Sequence, residues 1–299
     1  IQHRRHSTSA YISLPLYTTL PLYTTLPLMC LIAFSFDPDA DQKLLVFANR
    51  DEFYEREASQ AGFWPDQPGL LAGRDLVAGG TWLGVHSSGR FAAVTNFREP
   101  GVEVQNALSR GRMVTEFLTE KLDSNAFLSA LQDDFTRYNG FNLIVYDGEK
   151  LGYCSNRAPF GPQLLKKGIY GLSNDLLDSP WPKVTRAKQR LENAVSSSPN
   201  ADSLWSDPST LGLLGDPSKA PDNELPDTGV GLELERTLSA MTIQSPNYGT
   251  RCMTMVGLWQ NGSIRFAEKT LHPVGLDAAI LQFEIQPRMD HLDDEPSTK

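Results

Sequence analysis

Cys30 follows Met29 directly and begins an apolar run, Met29-Cys30-Leu31-Ile32-Ala33-Phe34-Ser35-Phe36. A second run, Leu44-Leu45-Val46-Phe47-Ala48, ends abruptly in Asn49-Arg50-Asp51-Glu52. A thiol, an amide, a guanidinium and two carboxylates at the ends of neighbouring segments are the ingredients of nucleophilic catalysis. The thiolate is the nucleophile, so the thiol proton needs a destination. With Met29 removed, Cys30 carries an α-amine of reference pKa about 7.7–8.0, which accepts that proton near neutral pH. One residue then supplies both nucleophile and base. Arg50 and Asp51 would stabilise the thiolate and orient the amine, with Glu52 pairing to Arg50. Bland alternatives stand beside these roles. A free cysteine is commonly a small buried apolar residue, and charges ending a strand are commonly a solvated pair worth roughly 0–1 kcal/mol.

Three further residues carry chemistry by type and position. Asn96 and Asn174 close apolar segments, and their amides can donate to a developing oxyanion; strand-end asparagines are also ordinary turn residues. Arg251 can hold a substrate carboxylate or the catalytic amine, with Gly249 leaving backbone room beside it; its alternative is a surface arginine. Gly79-Gly80-Thr81-Trp82 reads as a tight turn lining a pocket wall. Cys154 and Cys252 lie in apolar runs and read as packing. His86, His272 and His291 have no carboxylate or cysteine at metal spacing, so no metal is assigned. Neither GxGxxG nor a Walker A loop occurs.

The elements that must position these residues follow from periodicity and turn chemistry. Asp37-Pro38-Asp39-Ala40-Asp41 joins the first two strands as an antiparallel hairpin. Tyr54 to Gly73 reads as a loop. Strands end at Val85 and run from Arg90 to Asn96; helices start at Ser109 and Ser124. Strands return at Phe141–Tyr146, Leu151–Ser155 and Gly168–Asn174. A long helix opens at Pro180-Trp181-Pro182 and reaches about Val195. Residues 198–230 read as loop around one short helix near Leu211 to Leu214, and Glu233 to Met241 as helical. Arg251–Trp259, Ser263–Lys269 and Ile280–Gln286 close the chain as strands. Strand blocks separated by helix blocks predict an α+β protein of antiparallel sheets with helices on their outer faces.

The chain has 299 residues and a net charge of −9. Residues 1–28 hold two arginines and no acid, so the remainder carries 25 basic against 36 acidic residues. Such an acidic body argues against nucleic-acid binding or attachment to anionic lipid. Three cysteines without CxxC or Cys/His metal spacing suit a reducing compartment. Nothing approaches the ~18 apolar residues of a membrane span. The expected organisation is an unstructured leader over 1–28, one domain over 29–286, and a disordered acidic tail over 287–299. The leader repeats Leu-Pro-Leu-Tyr-Thr-Thr at Leu14 and Leu20; a misassigned start and a transit peptide both fit it. The expected compartment is cytoplasmic, or mitochondrial should the leader be a transit peptide.

Seven blocks occur in order: Met29-Cys30, Asn49-Arg50-Asp51-Glu52, Gly79 to Gly84, Thr95-Asn96, Tyr138 to Leu143, Tyr170 to Asn174, and Tyr248-Gly249-Thr250-Arg251. The set resembles the NRDE family, which includes the transport and Golgi organisation protein 2 group. That family in turn resembles cysteine-type N-terminal nucleophile (Ntn) hydrolases. The resemblance implies a four-layer αββα sandwich of two antiparallel sheets flanked by helices. It implies catalytic roles for Cys30, Arg50, Asp51 (or Glu52), Asn96, Asn174 and Arg251; Asn49, Glu52, Trp82 and Asn142 are the expected substrate contacts. One departure is that the arginine and the acid are adjacent here, where those hydrolases separate them. Two functions follow as expectations. The first is hydrolysis of a linear amide or related acyl bond through Cys30. The second is a carrier of haem or of lipid/acyl-CoA on the same scaffold, with haem as cargo and no resident cofactor. The expected partner is a small amide, acyl or haem-like ligand.

Overall fold

The computed structural model describes residues 29–198, 200–272 and 280–286, with the side chain of Met29 excepted. The leader, and the tail from 287, lie outside the described residues. Strands β1 (Met29–Phe36) and β2 (Gln42–Phe53) form the expected hairpin, Phe36 opposite Leu44 and Cys30 opposite Arg50. At its turn the amide of Asp37 donates to Lys43 O at 2.9 Å, and the Asp37 carboxylate accepts from the Asp39 amide. β1 and β2 lie inside a six-stranded antiparallel sheet. Its other strands are β10 (Gly168–Leu172), β11 (Tyr248–Trp259), β12 (Ile264–Thr270) and β13 (Ile280–Ile285), in the order β10-β1-β2-β11-β12-β13.

The second sheet is a seven-stranded meander in sequence order. It comprises β3 (Ala58–Phe63), β4 (Leu70–Asp75), β5 (Leu83–His86), β6 (Arg90–Asn96), β7 (Phe141–Tyr146), β8 (Leu151–Ser155) and β9 (Gln163–Leu164). Side chains alternate across a strand, so each sheet presents two apolar faces. Ile32, Phe34, Leu44 and Val46 of one sheet meet Leu83, Phe91, Ile144 and Tyr153 of the other, making the central layer. Outside the meander, α1 (Arg110–Thr119) and α2 (Ser124–Leu131) bury Met113, Phe117, Phe127 and Leu128 against Val94, Leu143 and Cys154. Beyond the other sheet, α3 (Pro182–Ser197) buries Val184, Ala187 and Leu191 against Leu31, Ala33 and Phe47. The result is the four-layer αββα sandwich of antiparallel sheets.

Two segments read as loop carry structure. Residues 54–73 contain β3 and most of β4. Ala58-Ser-Gln-Ala-Gly-Phe63 lacks the alternating bulk that signals a strand, and it is held instead by neighbours: β4 pairs with it, and the Glu268 carboxylate of β12 accepts the Ala61 amide at 2.8 Å. Residues 198–230 hold a short helix α4 (Ala201–Ser206), N-capped by Asn200, and 3-10 turns at Pro208–Gly212 and Asp222–Glu224. Leu204, Leu211 and Leu214 of this segment complete the outer core against α3. The next helix, α5 (Leu232–Leu238), stops short of Met241. No helix among the described residues is long and apolar enough to cross a membrane.

Candidate active site

Strand parity decides which side chains meet. Ile32, Phe34 and Phe36 point into the layer between the sheets, and so does Cys30 two residues earlier. On β2 the inward set is Leu44, Val46 and Ala48, which aims Arg50 and Glu52 the same way. At this end the sheets part around a cavity of about 380 Å³, with Cys30, Arg50, Glu52, Trp82, Asn96 and Arg251 in its wall. Cys30 and Arg50 are directly opposed across the hairpin. Ser173 fixes the Cys30 backbone by donating its Oγ to Cys30 O at 2.8 Å.

Arg251 arrives by a β-bulge. Thr250 opposes Asp51 and Cys252 opposes Arg50, so Arg251 is the extra residue, turned out of the ladder toward the cavity. Its Nη1 donates to Phe53 O at 2.8 Å and Arg56 O at 2.9 Å, tying the start of the β2–β3 connection to the cavity wall. Gly249 is required just before the bulge, because a Cβ there would stand 2.5 Å from Ile243 O. Glu52 lies 3.6 Å from both Arg50 and Arg56, and Arg56 pairs with Asp75 at 2.7 Å.

Burial sets the protonation states. It pushes the Cys30 thiol up to about 12, with the nearby Asp51 charge adding to the shift. Burial likewise raises Glu52 and Glu268. Asp51 belongs to the cavity wall, yet its carboxylate sits with Asn49 on the opposite face of β2, toward α3. There Thr250 Oγ1 donates to Asp51 Oδ1 at 2.5 Å. Burial raises Asp51, while the charge of Lys183 in the first turn of α3 opposes that rise. Lys183 is itself 2% exposed, and burial lowers its pKa.

The predicted residues therefore divide. Cys30, Arg50, Asp51, Glu52, Trp82, Asn96 and Arg251 come together at the cavity, whereas Asn49, Asn142 and Asn174 are not in its lining. Asn49 Nδ2 donates to Leu214 O and Met241 O, tying β2 to the outer segment. Asn142 sits in a buried network, donating to Thr95 Oγ1 and Asp175 O and accepting from Tyr153 OH at 2.8 Å. Asn49 lies on the face of β2 toward α3, while Asn142 shares the inward face of Ile144 and Tyr146 but is held at depth by Tyr153, so neither is in the cavity lining. Asn174 is fully buried and donates to Asn96 O at 3.0 Å, so it holds Asn96 in place.

Sequence reading missed Arg110, and it assigned Cys252 to packing; both line the cavity. Cys252 was hidden by its apolar neighbours. Only its register opposite Arg50 brings it to the wall. Arg110 resembles any first-turn helical residue. What brings it here is a backbone-to-backbone contact between Gly80 and Gly111: a Cβ on Gly80 would lie 2.7 Å from Gly111 C, and one on Gly111 2.9 Å from Thr81 O. Gly80→Ala is thus expected to push the start of α1 off the wall and to destabilise by about 1–3 kcal/mol, the usual penalty of overpacking. Denaturant midpoints check it. An unchanged midpoint would mean that the two backbones separate freely. No group of His, Cys, Asp and Glu suited to a metal occurs among the described residues.

A four-layer αββα protein with a strand-borne cysteine facing an arginine across its first hairpin is the class that fold and cavity define. Within it, the chain belongs to the Transport and Golgi organisation 2 family, matching it over residues 29–273. It is 38% identical to the Transport and Golgi organization protein 2 homolog of Homo sapiens, covering 81% of this chain and 93% of that one. The Bos taurus homolog is 36% identical, over 86% of this chain and 100% of its own length. The Drosophila melanogaster protein is 30% identical, over 83% and 94%. Two solved structures are more distantly similar. A mutant conjugated bile acid hydrolase from Clostridium perfringens has a TM-score of 0.39 at 10% identity, covering 86% of this chain and 92% of that one. A Caenorhabditis elegans ortholog of N-acylethanolamine-hydrolyzing acid amidase has 0.37 at 12%, covering 76% and 92%.

Proposed function

We propose that the cavity is the active site of a cysteine hydrolase that cleaves a linear amide or related acyl bond through Cys30. The observation that carries this is the direct opposition of Cys30 and Arg50 on the wall of a cavity that also holds Asn96 and Arg251. The reaction requires Cys30 to be the first residue. Its α-amine takes the thiol proton, and the thiolate attacks the carbonyl carbon. The Asn96 amide and a guanidinium N–H hold the oxyanion, a role whose loss typically costs on the order of 10²–10³ in rate. Collapse breaks the C–N bond and returns the proton to the leaving amine. Water then cleaves the thioester, so that amide and water become acid and amine. Asn174 acts through Asn96 as a positioning residue.

The test is the intact mass of the protein, followed by reaction with an electrophilic acyl probe. Expected is a chain beginning at Cys30 that takes up one acyl group, and no uptake by Cys30→Ala or Cys30→Ser. Equal uptake by these variants would end the hydrolase reading. A second reading draws support from the high pKa of the buried thiol while Met29 is attached. In it the same cavity carries haem or a lipid/acyl-CoA ligand without turnover, and Cys30 is a contact. A Soret band on haem titration, or lipid co-purifying with the protein, would favour it. If neither appears at micromolar ligand, the carrier reading fails.

A further inference from the structure

Five arginines line the cavity: Arg50, Arg56, Arg74, Arg110 and Arg251. Two of them are already matched by carboxylates. Arg56 donates twice to Asp75, at 2.7 and 2.9 Å, and Arg74 makes a two-armed contact with Asp66 at 2.8 Å. Arg50 shares Glu52 with Arg56, each at 3.6 Å, an ion pair longer than a hydrogen bond. Among the described residues, the remaining two have no carboxylate this close. Arg251 is 8% exposed; its Nη1 is satisfied by two backbone carbonyls, its Nε is buried without a hydrogen-bond partner, and among the described residues no carboxylate pairs with it. Arg110 donates Nη1 to Gly140 O at 3.1 Å and likewise has no carboxylate partner among the described residues. Burial lowers Arg110 to about 10, which leaves it charged at neutral pH. Behind it, the first turn of α1 holds no acidic residue, and Ser109 at its N-cap makes no side-chain capping bond.

Removing a guanidinium from water without a counter-charge is costly, and proteins recover that cost by pairing it. Two such groups, with Arg50 beside them in the same cavity wall, carry donors in the planar fork that fits an oxyanion with two parallel bonds. The geometry points to an oxyanion subsite in which Arg110 is the principal clamp and Arg50 and Arg251 are auxiliaries. The ligand carries a carboxylate or a phosphoryl group, and it binds in the cavity that holds Cys30. This assigns Arg110 a binding role and restricts the ligand to anionic acyl compounds. The inference rests on the cavity's being the ligand site, as in the hydrolase reading, but not on turnover.

The experiment is a thermal-shift titration of the full chain at low ionic strength with pyrophosphate, inorganic phosphate and succinate as probes. A ligand that binds only the native state raises the melting temperature in saturable fashion. Wild type and Cys30→Ala are expected to bind alike. Arg110→Ala should weaken binding at least about tenfold, and Arg110→Lys should weaken it less, since it keeps the charge and loses the fork. Arg112→Ala, at an exposed residue paired with Glu116, is the control and should match wild type. Preference for succinate assigns a carboxylate ligand; preference for the phosphate probes assigns a phosphoryl group. The proposal is overturned if no probe saturates wild type, or if both Arg110 variants shift as wild type does. Saturable binding by a protein whose Cys30 never acylates would sink the hydrolase reading alone. Acylation without anion binding would sink the subsite alone.

Discussion

Glu235→Ala is expected to cost about 3–5 kcal/mol, the usual loss when one partner of a buried ion pair is removed. Arg98, just after β6, pairs with Glu235 of α5 at 2.6 Å, and the two side chains are only 1% and 4% exposed. The Arg98 guanidinium also lies over the Trp181 ring, 4.5 Å from its centroid, and its backbone amide donates to Asn174 O at 2.7 Å. Glu235 is held in turn by the amide and hydroxyl of Thr228, at 2.9 and 2.5 Å. Truncating the carboxylate leaves a guanidinium inside the protein with its principal counter-charge gone. For a domain of this size the loss corresponds to a fall in melting temperature on the order of 10 °C. Replacing both partners, as in Arg98→Met with Glu235→Leu, should recover much of it, because apolar residues of similar volume need no counter-charge. A fall under about 2 °C in Glu235→Ala would show that water reaches the pair. The effect extends to the cavity, since the same Asn174 holds Asn96.

Much of this organisation was legible from the chain. The hairpin that sets Cys30 opposite Arg50 follows from two apolar runs and an Asp-Pro turn, both local signals. Gly249 was legible as a point of close approach. The layers were legible as blocks of strand and helix. Less legible were features fixed by partners distant in sequence. β3 lacks the alternation of a strand and exists because β4 and Glu268 satisfy its amides. Asn142 and Asn96 look alike as strand asparagines, yet one is locked under Tyr153 and the other reaches the cavity. Lys183 follows Trp181-Pro182 in the first turn of α3 with no local sign of burial, and the fold encloses it near Asp51. Strand residues of equal type are sorted by parity and depth, and depth depends on where two sheets diverge. No window of sequence reports that divergence.

The second large effect concerns the reactivity of Cys30 while Met29 is attached. A thiol held near 12 has about 10³ less thiolate at pH 7 than one at the ordinary value of 9.0, and alkylation goes through the thiolate. Iodoacetamide should therefore modify Cys30 in the Met29-bearing chain about 10³-fold more slowly than a free cysteine, with a rate rising about tenfold per pH unit above neutrality. The sign follows from the direction of the shift. A raised pKa favours the protonated native state, so its stabilising contribution is complete below about 9 and is lost as pH climbs toward 12. A chain trimmed to begin at Cys30 should behave differently, because its amine of reference pKa about 7.7–8.0 then offers the proton a destination within the same residue. Alkylation at pH 7.5 should rise at least about a hundredfold on trimming. Arg50→Ala in the trimmed chain should give back much of that gain, since Arg50 is the cation that lowers this thiol's pKa. Cys154 and Cys252 supply little background, because burial raises both thiols. Equal rates for the trimmed and Met29-bearing chains would mean that the amine does not serve the sulfur, and Cys30 would then be a packing residue on the cavity wall.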